Sequence, residues 1–161
     1  RDVEIDNKVN WRGKHLQTLK MNYKKAKFFE EVNKGIEEVY LSKDWSNLCT
    51  FNIRLLKSVL NIINLEKKLI KASELDIKGE STHLLINIIK KVGGDTYLSG
   101  FGGTNYQEES LFSKEGIRLQ YTDFQHPVYP QLWGDFMPNL SIIDLLFNCG
   151  PDSRKFLLGE K

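Results

Sequence analysis

Apolar residues recur at helical spacing throughout the first third of the chain. The pattern predicts three successive helices, over residues 10–25, 28–41 and 44–63. Asn10 is expected to cap the first helix and Asp44 the third, because short polar side chains satisfy free N–H groups at helix starts. The residues expected to face the core are Leu16, Leu19, Tyr23 and Ala26, then Phe29, Val32, Ile36, Val39 and Tyr40, then Leu48, Phe51, Leu55, Leu56, Val59 and Ile63.

From residue 69 onward the pattern alternates between strand and helix. Short strands are predicted at 69–73, 96–98 and 117–124, and helices at 82–92 (capped by Ser81) and 105–114. Such β-α-β alternation with short loops is typical of a mostly parallel, Rossmann-like sheet covered by helices. The predicted fold class is therefore α/β, with a segment of three helices in the N-terminal half and a single domain over residues 1–161.

The last third begins with a proline-rich, aromatic segment, residues 126–139, which predicts an ordered but irregular crossing. A helix follows from residue 140. Ser141 and Asp144 have the spacing of a capping box, and Gly150-Pro151 ends this helix.

A glycine-rich turn follows the strand at 96–98 and is the first candidate binding element. Three glycines there, Gly100, Gly102 and Gly103, allow a sharp turn and close approach of a ligand to the main chain. Ser99 and Tyr106 flank them and are assigned to substrate binding. An ordinary strand-to-helix turn explains the glycines equally well, because the sequence is neither GxGxxG nor a phosphate loop.

Composition excludes several classes of protein. The 161 residues include 23 basic and 21 acidic side chains, so a net charge of +2 gives no specific nucleic-acid signal. No apolar run approaches the roughly 20 residues that span a bilayer. Cys49 and Cys149 are expected to be reduced core thiols of a cytoplasmic protein.

Residues 8–27 carry seven basic side chains and no acidic one. This run is interpreted either as a solvated helix face or as a surface for a phosphorylated ligand or an RNA acceptor stem. His126 follows a predicted strand end and is the candidate general base, with a hydrogen-bonding loop histidine as the alternative. Asp144 is a second catalytic candidate, although the capping box also explains it. No metal-ligand spacing is present, and no metal site is predicted.

Several motifs resemble the WbqC-like family of bacterial polysaccharide-cluster proteins. They are YLSGFGGTNY (97–106), the Gly116-Ile117 pair, Tyr129 and Gln131 in VYPQLWGDF, and above all PNLSIIDLLFNCGP (138–151). The opening VEIDN with Trp11, Lys14, His15 and Tyr23 resembles the middle region of that family. Because its members begin with an upstream strand–helix segment, the resemblance implies that this chain is the C-terminal two-thirds of a longer protein.

The resemblance implies a transferase of O-antigen biosynthesis that adds an aminoacyl group, glycine, to an amino sugar on a nucleotide or lipid carrier. A nucleotide-sugar or lipid-linked sugar and an aminoacyl donor are then the expected partners, and no cofactor is specified. A nucleotidyltransferase-like enzyme and a non-catalytic sugar-binding module remain as alternatives. The site residues, besides His126 and Asp144, are Ser99, Gly100, Gly102, Gly103, Tyr106, Tyr129, Gln131, Asn139 and Ser141.

Overall fold

The computed structural model describes residues 2–159, which fold as an α/β protein. The helices are Trp11–Tyr23 (α1), Phe29–Leu41 (α2), Leu48–Ile62 (α3), Ser81–Lys91 (α4), Glu109–Lys114 (α5), Ile142–Cys149 (α6) and Ser153–Leu158 (α7). The strands are Thr96–Ser99 (β1) and Arg118–Tyr121 (β2). None of the helices described is long and apolar enough to cross a bilayer.

The chain divides into two compact units. Unit 1 contains residues up to 67 together with those from 126 onward, and unit 2 contains residues 68–125. Unit 1 is therefore built from two separate stretches of sequence. The glycine turn belongs to unit 2 and Ser141 to unit 1, so a site that combines them stays a prediction, as does the single domain.

Unit 1 contains the three predicted N-terminal helices and α6. All five apolar residues expected on the inner face of α2 are buried: Phe29, Val32, Ile36, Val39 and Tyr40. Phe147 of α6 is completely buried, and its ring stacks on Tyr23 at 4.8 Å and on Phe29 at 5.4 Å. Helix α6 thus packs into the same core as the N-terminal helices. The stripe of α3 is only partly buried, since Leu48 and Leu56 remain exposed.

Two predicted caps are corrected. Asn47, not Asp44, caps α3, because its side-chain oxygen accepts a hydrogen bond from the Thr50 N–H at 2.9 Å. Asp44 instead forms an exposed ion pair with Arg12 at 2.7 Å. Ser81 makes no capping hydrogen bond at the start of α4 and has a φ of +49°. The predicted cap by Asn10 is confirmed by its hydrogen bond from Gly13 N–H.

Unit 2 contains a two-stranded parallel sheet, in which Thr96 pairs with Arg118 and Ser99 with Tyr121. The predicted order of strand, glycine turn, helix and strand is confirmed. The strand predicted at 69–73 is wrong: this segment includes only a 3₁₀ turn at Ala72–Glu74, and Leu69 and Ile70 are exposed. The α/β class and parallel pairing are therefore confirmed, whereas a larger Rossmann-like sheet stays a prediction.

Candidate functional site

The glycine turn of unit 2 packs tightly at one end and is open at the other. A Cβ at Gly103 would lie 2.3 Å from Ser99 Oγ, so only glycine fits there. Ser99 is buried; its hydroxyl donates to the Gly100 carbonyl at 3.1 Å and accepts from Gln107 Nε2 at 3.0 Å. These contacts give Ser99 and Gly103 a structural role within the turn.

Gly100 and Gly102 differ from Gly103, because a Cβ atom added at either of them would meet nothing within 4 Å. The adjacent side chain of Tyr106 is 69% exposed. Among the five predicted binding residues of this turn, these three are the accessible ones. A ligand could therefore reach the main chain at Gly100 and Gly102, as the sequence predicts.

Asp144 and Tyr129 are the buried members of the predicted site residues in unit 1, with 5% and 4% of their surfaces exposed. Ser141 caps α6 by accepting a hydrogen bond from Ile143 N–H at 3.3 Å, which places Asp144 in the first helical turn. Its Oδ2 accepts a hydrogen bond from the Tyr129 hydroxyl at 2.9 Å. The serine half of the predicted capping box is thus confirmed, while the described contacts of the Asp144 carboxylate involve tyrosines.

Tyr129 and Tyr23 both interact with this carboxylate. Burial is the largest cause that raises the pKa of Tyr129 to about 12; a hydrogen bond with Gln131 opposes it, and the hydrogen bond and charge of Asp144 add to it. Burial, and then the charge and hydrogen bond of Asp144, raise the pKa of Tyr23 to about 12. Both hydroxyls therefore keep their protons at neutral pH, and that of Tyr129 donates to Asp144.

Tyr23 was not predicted as a site residue. The sequence predicts Tyr23 as a core residue, because it falls on the apolar face of the first helix. It also lies far from Asp144 in the sequence. The sequence contains one indication of such a role: the hydroxyl of a tyrosine on an inward helix face needs a hydrogen-bond partner. The sequence could not identify that partner.

His126 lies beside this pair. Its ring centroid is 6.1 Å from that of Tyr129, and its Nδ1 is 3.1 Å from the Pro127 carbonyl oxygen. Because a carbonyl only accepts hydrogen bonds, Nδ1 is the donor in this contact. The structure thus brings His126, Tyr129 and Asp144 into one cluster, together with Tyr23.

Gln131 and Asn139 shape the segment that carries Tyr129. The Gln131 side-chain amide donates to the Met137 carbonyl at 2.9 Å and accepts from Met137 N–H at 2.8 Å, which closes the loop between them. Asn139 is exposed and has a φ of +62°, a conformation that asparagine tolerates better than most residues. Their observed contacts are structural, and their predicted contacts with substrate stay predictions.

A cavity of about 480 Å³ adjoins the cluster within unit 1. Gln131, which closes the loop to Met137, lines this cavity. Cys149 lines it too and belongs to the same hydrophobic cluster as Tyr129. Burial is the main cause that raises the pKa of the Cys149 thiol, so it is a protonated wall residue and a poor nucleophile. The lining residues are Lys25, Ala26, Lys27, Phe28, Pro130, Gln131, Leu132, Asn148, Cys149, Asp152 and Phe156.

No metal centre is indicated by the described part of the chain: residues 2–159 contain no group of three His, Cys, Asp or Glu side chains placed to hold an ion. What the cluster offers is acid–base chemistry. It combines an imidazole, which can accept a proton, with a carboxylate that accepts a hydrogen bond from the Tyr129 hydroxyl.

Comparisons with known proteins extend over both units. The family model described as the WbqC-like protein family matches residues 1–156. The chain is also similar to a Mycobacterium tuberculosis protein named "Uncharacterized protein Rv1507c", with 30% identity over 158 residues, which cover 98% of this chain and 68% of that protein. No solved structure matches the chain.

Proposed function

Because the chain belongs to the WbqC-like protein family, we propose that it is a cytoplasmic transferase of surface-polysaccharide (O-antigen) biosynthesis. It transfers an aminoacyl group, glycine, to an amino sugar held on a nucleotide or lipid carrier. The observation that supports this reaction best is the cluster of His126, Tyr129 and Asp144, because acyl transfer to an amine needs a base at the attacking nitrogen.

In this proposal the amine of the sugar attacks the carbonyl carbon of the aminoacyl donor. His126 Nε2 takes the amine proton as the new C–N bond forms, and the donor's leaving group departs with the electrons of the bond that breaks. Asp144 acts as a positioning residue, because its carboxylate is buried and already accepts the Tyr129 hydroxyl. The glycine turn keeps its predicted role as a substrate-binding element, through the open main chain at Gly100 and Gly102.

The test is transfer of labelled glycine from glycyl-tRNA to a UDP-linked amino sugar by the purified protein, followed by mass spectrometry of the sugar product. His126→Ala is expected to lower kcat by about 10²- to 10⁴-fold, which is the usual contribution of a general base. His83→Ala is the matched control, because His83 is exposed in α4 of unit 2. Unchanged kcat in His126→Ala would exclude His126 as the base.

A sugar-binding module without catalysis is the second candidate, and Trp133 is the observation that favours it. Its side chain is 58% exposed, while its Nε1 donates to the Asn22 carbonyl at 2.9 Å and holds the ring in place. A fixed, exposed ring suits stacking against a sugar. Binding of the UDP-linked sugar that depends on Trp133, with no transfer from any donor, would favour this candidate over the transferase.

A further inference from the structure

The cavity beside the cluster has one wall made by the short turn between α1 and α2. Lys25 and Lys27 line this wall, and both residues are exposed. Pro130, Gln131 and Leu132 of the proline-rich segment also line the cavity. The cavity therefore lies between the basic run of residues 8–27 and the segment that carries Tyr129.

The turn that carries the two lysines is fixed by the end of α6. Phe28 N–H donates to the Phe147 carbonyl at 3.0 Å. A Cβ at Gly150 would lie 2.4 Å from the Phe28 ring, so this ring occupies space that only glycine leaves open. The Lys27 ammonium in turn lies 5.0 Å from the centroid of the Phe28 ring, a cation–π distance. The position of Lys27 thus depends on a glycine of the PNLSIIDLLFNCGP motif.

The lining carries a net positive charge. Its one acidic residue, Asp152, is paired with Lys155 at 2.7 Å, and the pKa of Asp152 is lowered by Lys155 first and more weakly by Lys27. Lys155 is not part of the lining. The charge of Asp152 is therefore compensated mainly by Lys155, from outside the lining, and Lys25 and Lys27 are the cationic side chains that face an anionic ligand in the cavity.

We propose that this cavity binds the diphosphate group of the carrier to which the amino sugar is attached. The proposal rests on the proposed function, and it assigns two of the seven basic residues of the 8–27 run to one ligand group. Two ammonium groups on one wall suit a diphosphate, which carries at least two negative charges at neutral pH. Asn148 also lines the cavity and donates to the Asp144 carbonyl at 2.8 Å, so a sugar extending from the diphosphate would lie near the catalytic cluster.

Calorimetric titration of the full chain with inorganic pyrophosphate tests the proposal without any acyl donor or sugar. Lys25→Gln/Lys27→Gln is expected to weaken pyrophosphate binding by about tenfold or more, because both direct charge contacts are lost. The matched control is Lys20→Gln/Lys24→Gln, which removes the same charge from exposed positions near the end of α1 that do not line the cavity. The control is expected to weaken binding by less than about twofold, since exposed charges at a distance are screened by salt.

Equal weakening by the two pairs would overturn the proposal, because binding would then reflect the general charge of α1. Absence of pyrophosphate binding up to about 5 mM would also overturn it. Titrations with UDP and with farnesyl diphosphate distinguish the carriers: the one that binds more tightly than pyrophosphate, and loses affinity in Lys25→Gln/Lys27→Gln, is the source of the diphosphate. Loss of transfer in His126→Ala has no bearing on this binding, so failure of either proposal is recognisable by itself.

Discussion

A carboxylate with 5% of its surface exposed needs a hydrogen-bond donor, and Asp144 receives one from the Tyr129 hydroxyl, while its charge also acts on Tyr23. The same carboxylate, together with burial, raises the pKa values of Tyr23 and Tyr129. Ionising either hydroxyl would place a second negative charge beside Asp144 in a buried setting. The cluster is therefore stable with the tyrosines neutral and the carboxylate as acceptor.

The pH dependence of stability follows from the direction of these shifts. The pKa of Tyr129 is about 12 in the folded protein, against 10.0 as its ordinary value. Its contribution is fully present below about pH 10, where tyrosine is neutral in both states. It is lost as pH rises through about 12, because the unfolded chain then releases a proton that the folded chain retains.

Tyr129→Phe tests this arrangement. The free energy of unfolding at neutral pH should fall by about 1.5–3 kcal/mol, because a hydrogen bond to a charged, buried group is lost. The decline in stability between about pH 10 and 12 should also become shallower. Urea unfolding at several pH values measures both effects, with the exposed Tyr106→Phe as a control that changes stability by less than about 0.5 kcal/mol. An unchanged alkaline slope in Tyr129→Phe would show that the Tyr129 proton is not linked to folding.

At single residues, the sequence identified chemical types better than partners. Ser99 and Gly103 were assigned to a ligand, and the structure gives both a packing contact with each other. A glycine that admits a ligand and one that admits a neighbouring hydroxyl have the same sequence signature, since both need the absence of Cβ. Gln131 is similar, because its amide closes a loop through Met137.

At the scale of elements, the hydrophobic pattern predicted the helices and two of the three short strands correctly. The five inward residues of α2 are all buried because a two-sided 3.6-residue pattern fixes which face is apolar. The segment 69–73 has strand-forming residues but lies exposed next to a 3₁₀ turn, since strand formation depends on a partner strand that local sequence does not specify. The cap of α3 was predicted wrongly for a related reason: Asp44 and Asn47 are equally good capping residues, and only tertiary contacts select between them.

The junction between α6 and α7 gives a second prediction. Gly150 has a φ of +54° and leaves space for the Phe28 ring, so Gly150→Ala combines backbone strain with a clash. We expect a loss of about 2–5 kcal/mol, from the strain of a positive φ in a residue with a Cβ together with overpacking. Gly159→Ala is the matched control: its φ is +65° and a Cβ there meets nothing within 4 Å, so it should cost only about 1–2 kcal/mol. Thermal unfolding of both variants measures the difference, and equal losses would show that the contact with Phe28 contributes nothing.

At the scale of the whole molecule, the two units differ in the size of their cores. Within residues 2–159, the main core cluster of unit 1 contains twelve buried residues, and the cluster of unit 2 contains four: Ile86, Ile89, Phe112 and Ile117. A sequence read in order suggests one continuous β-α-β domain, because nothing local shows that residues before 68 and after 125 fold together. That pairing depends on Phe147 stacking with Tyr23 and Phe29, which are over a hundred positions away.

Because burial of apolar surface supplies most of the stabilising free energy, the smaller core of unit 2 should open more easily. Native-state hydrogen exchange is expected to give amides of α4, β1 and β2 a lower free energy of opening than those of α2, by about 2 kcal/mol or more. Ile86→Ala should lower the free energy of opening of the unit 2 amides by about 2–5 kcal/mol and leave that of the α2 amides unchanged. A single cooperative domain would instead show the same loss in both units. Equal opening free energies throughout the wild-type chain, and a shared loss in Ile86→Ala, would therefore establish the single domain that the sequence predicts and contradict independent opening of unit 2.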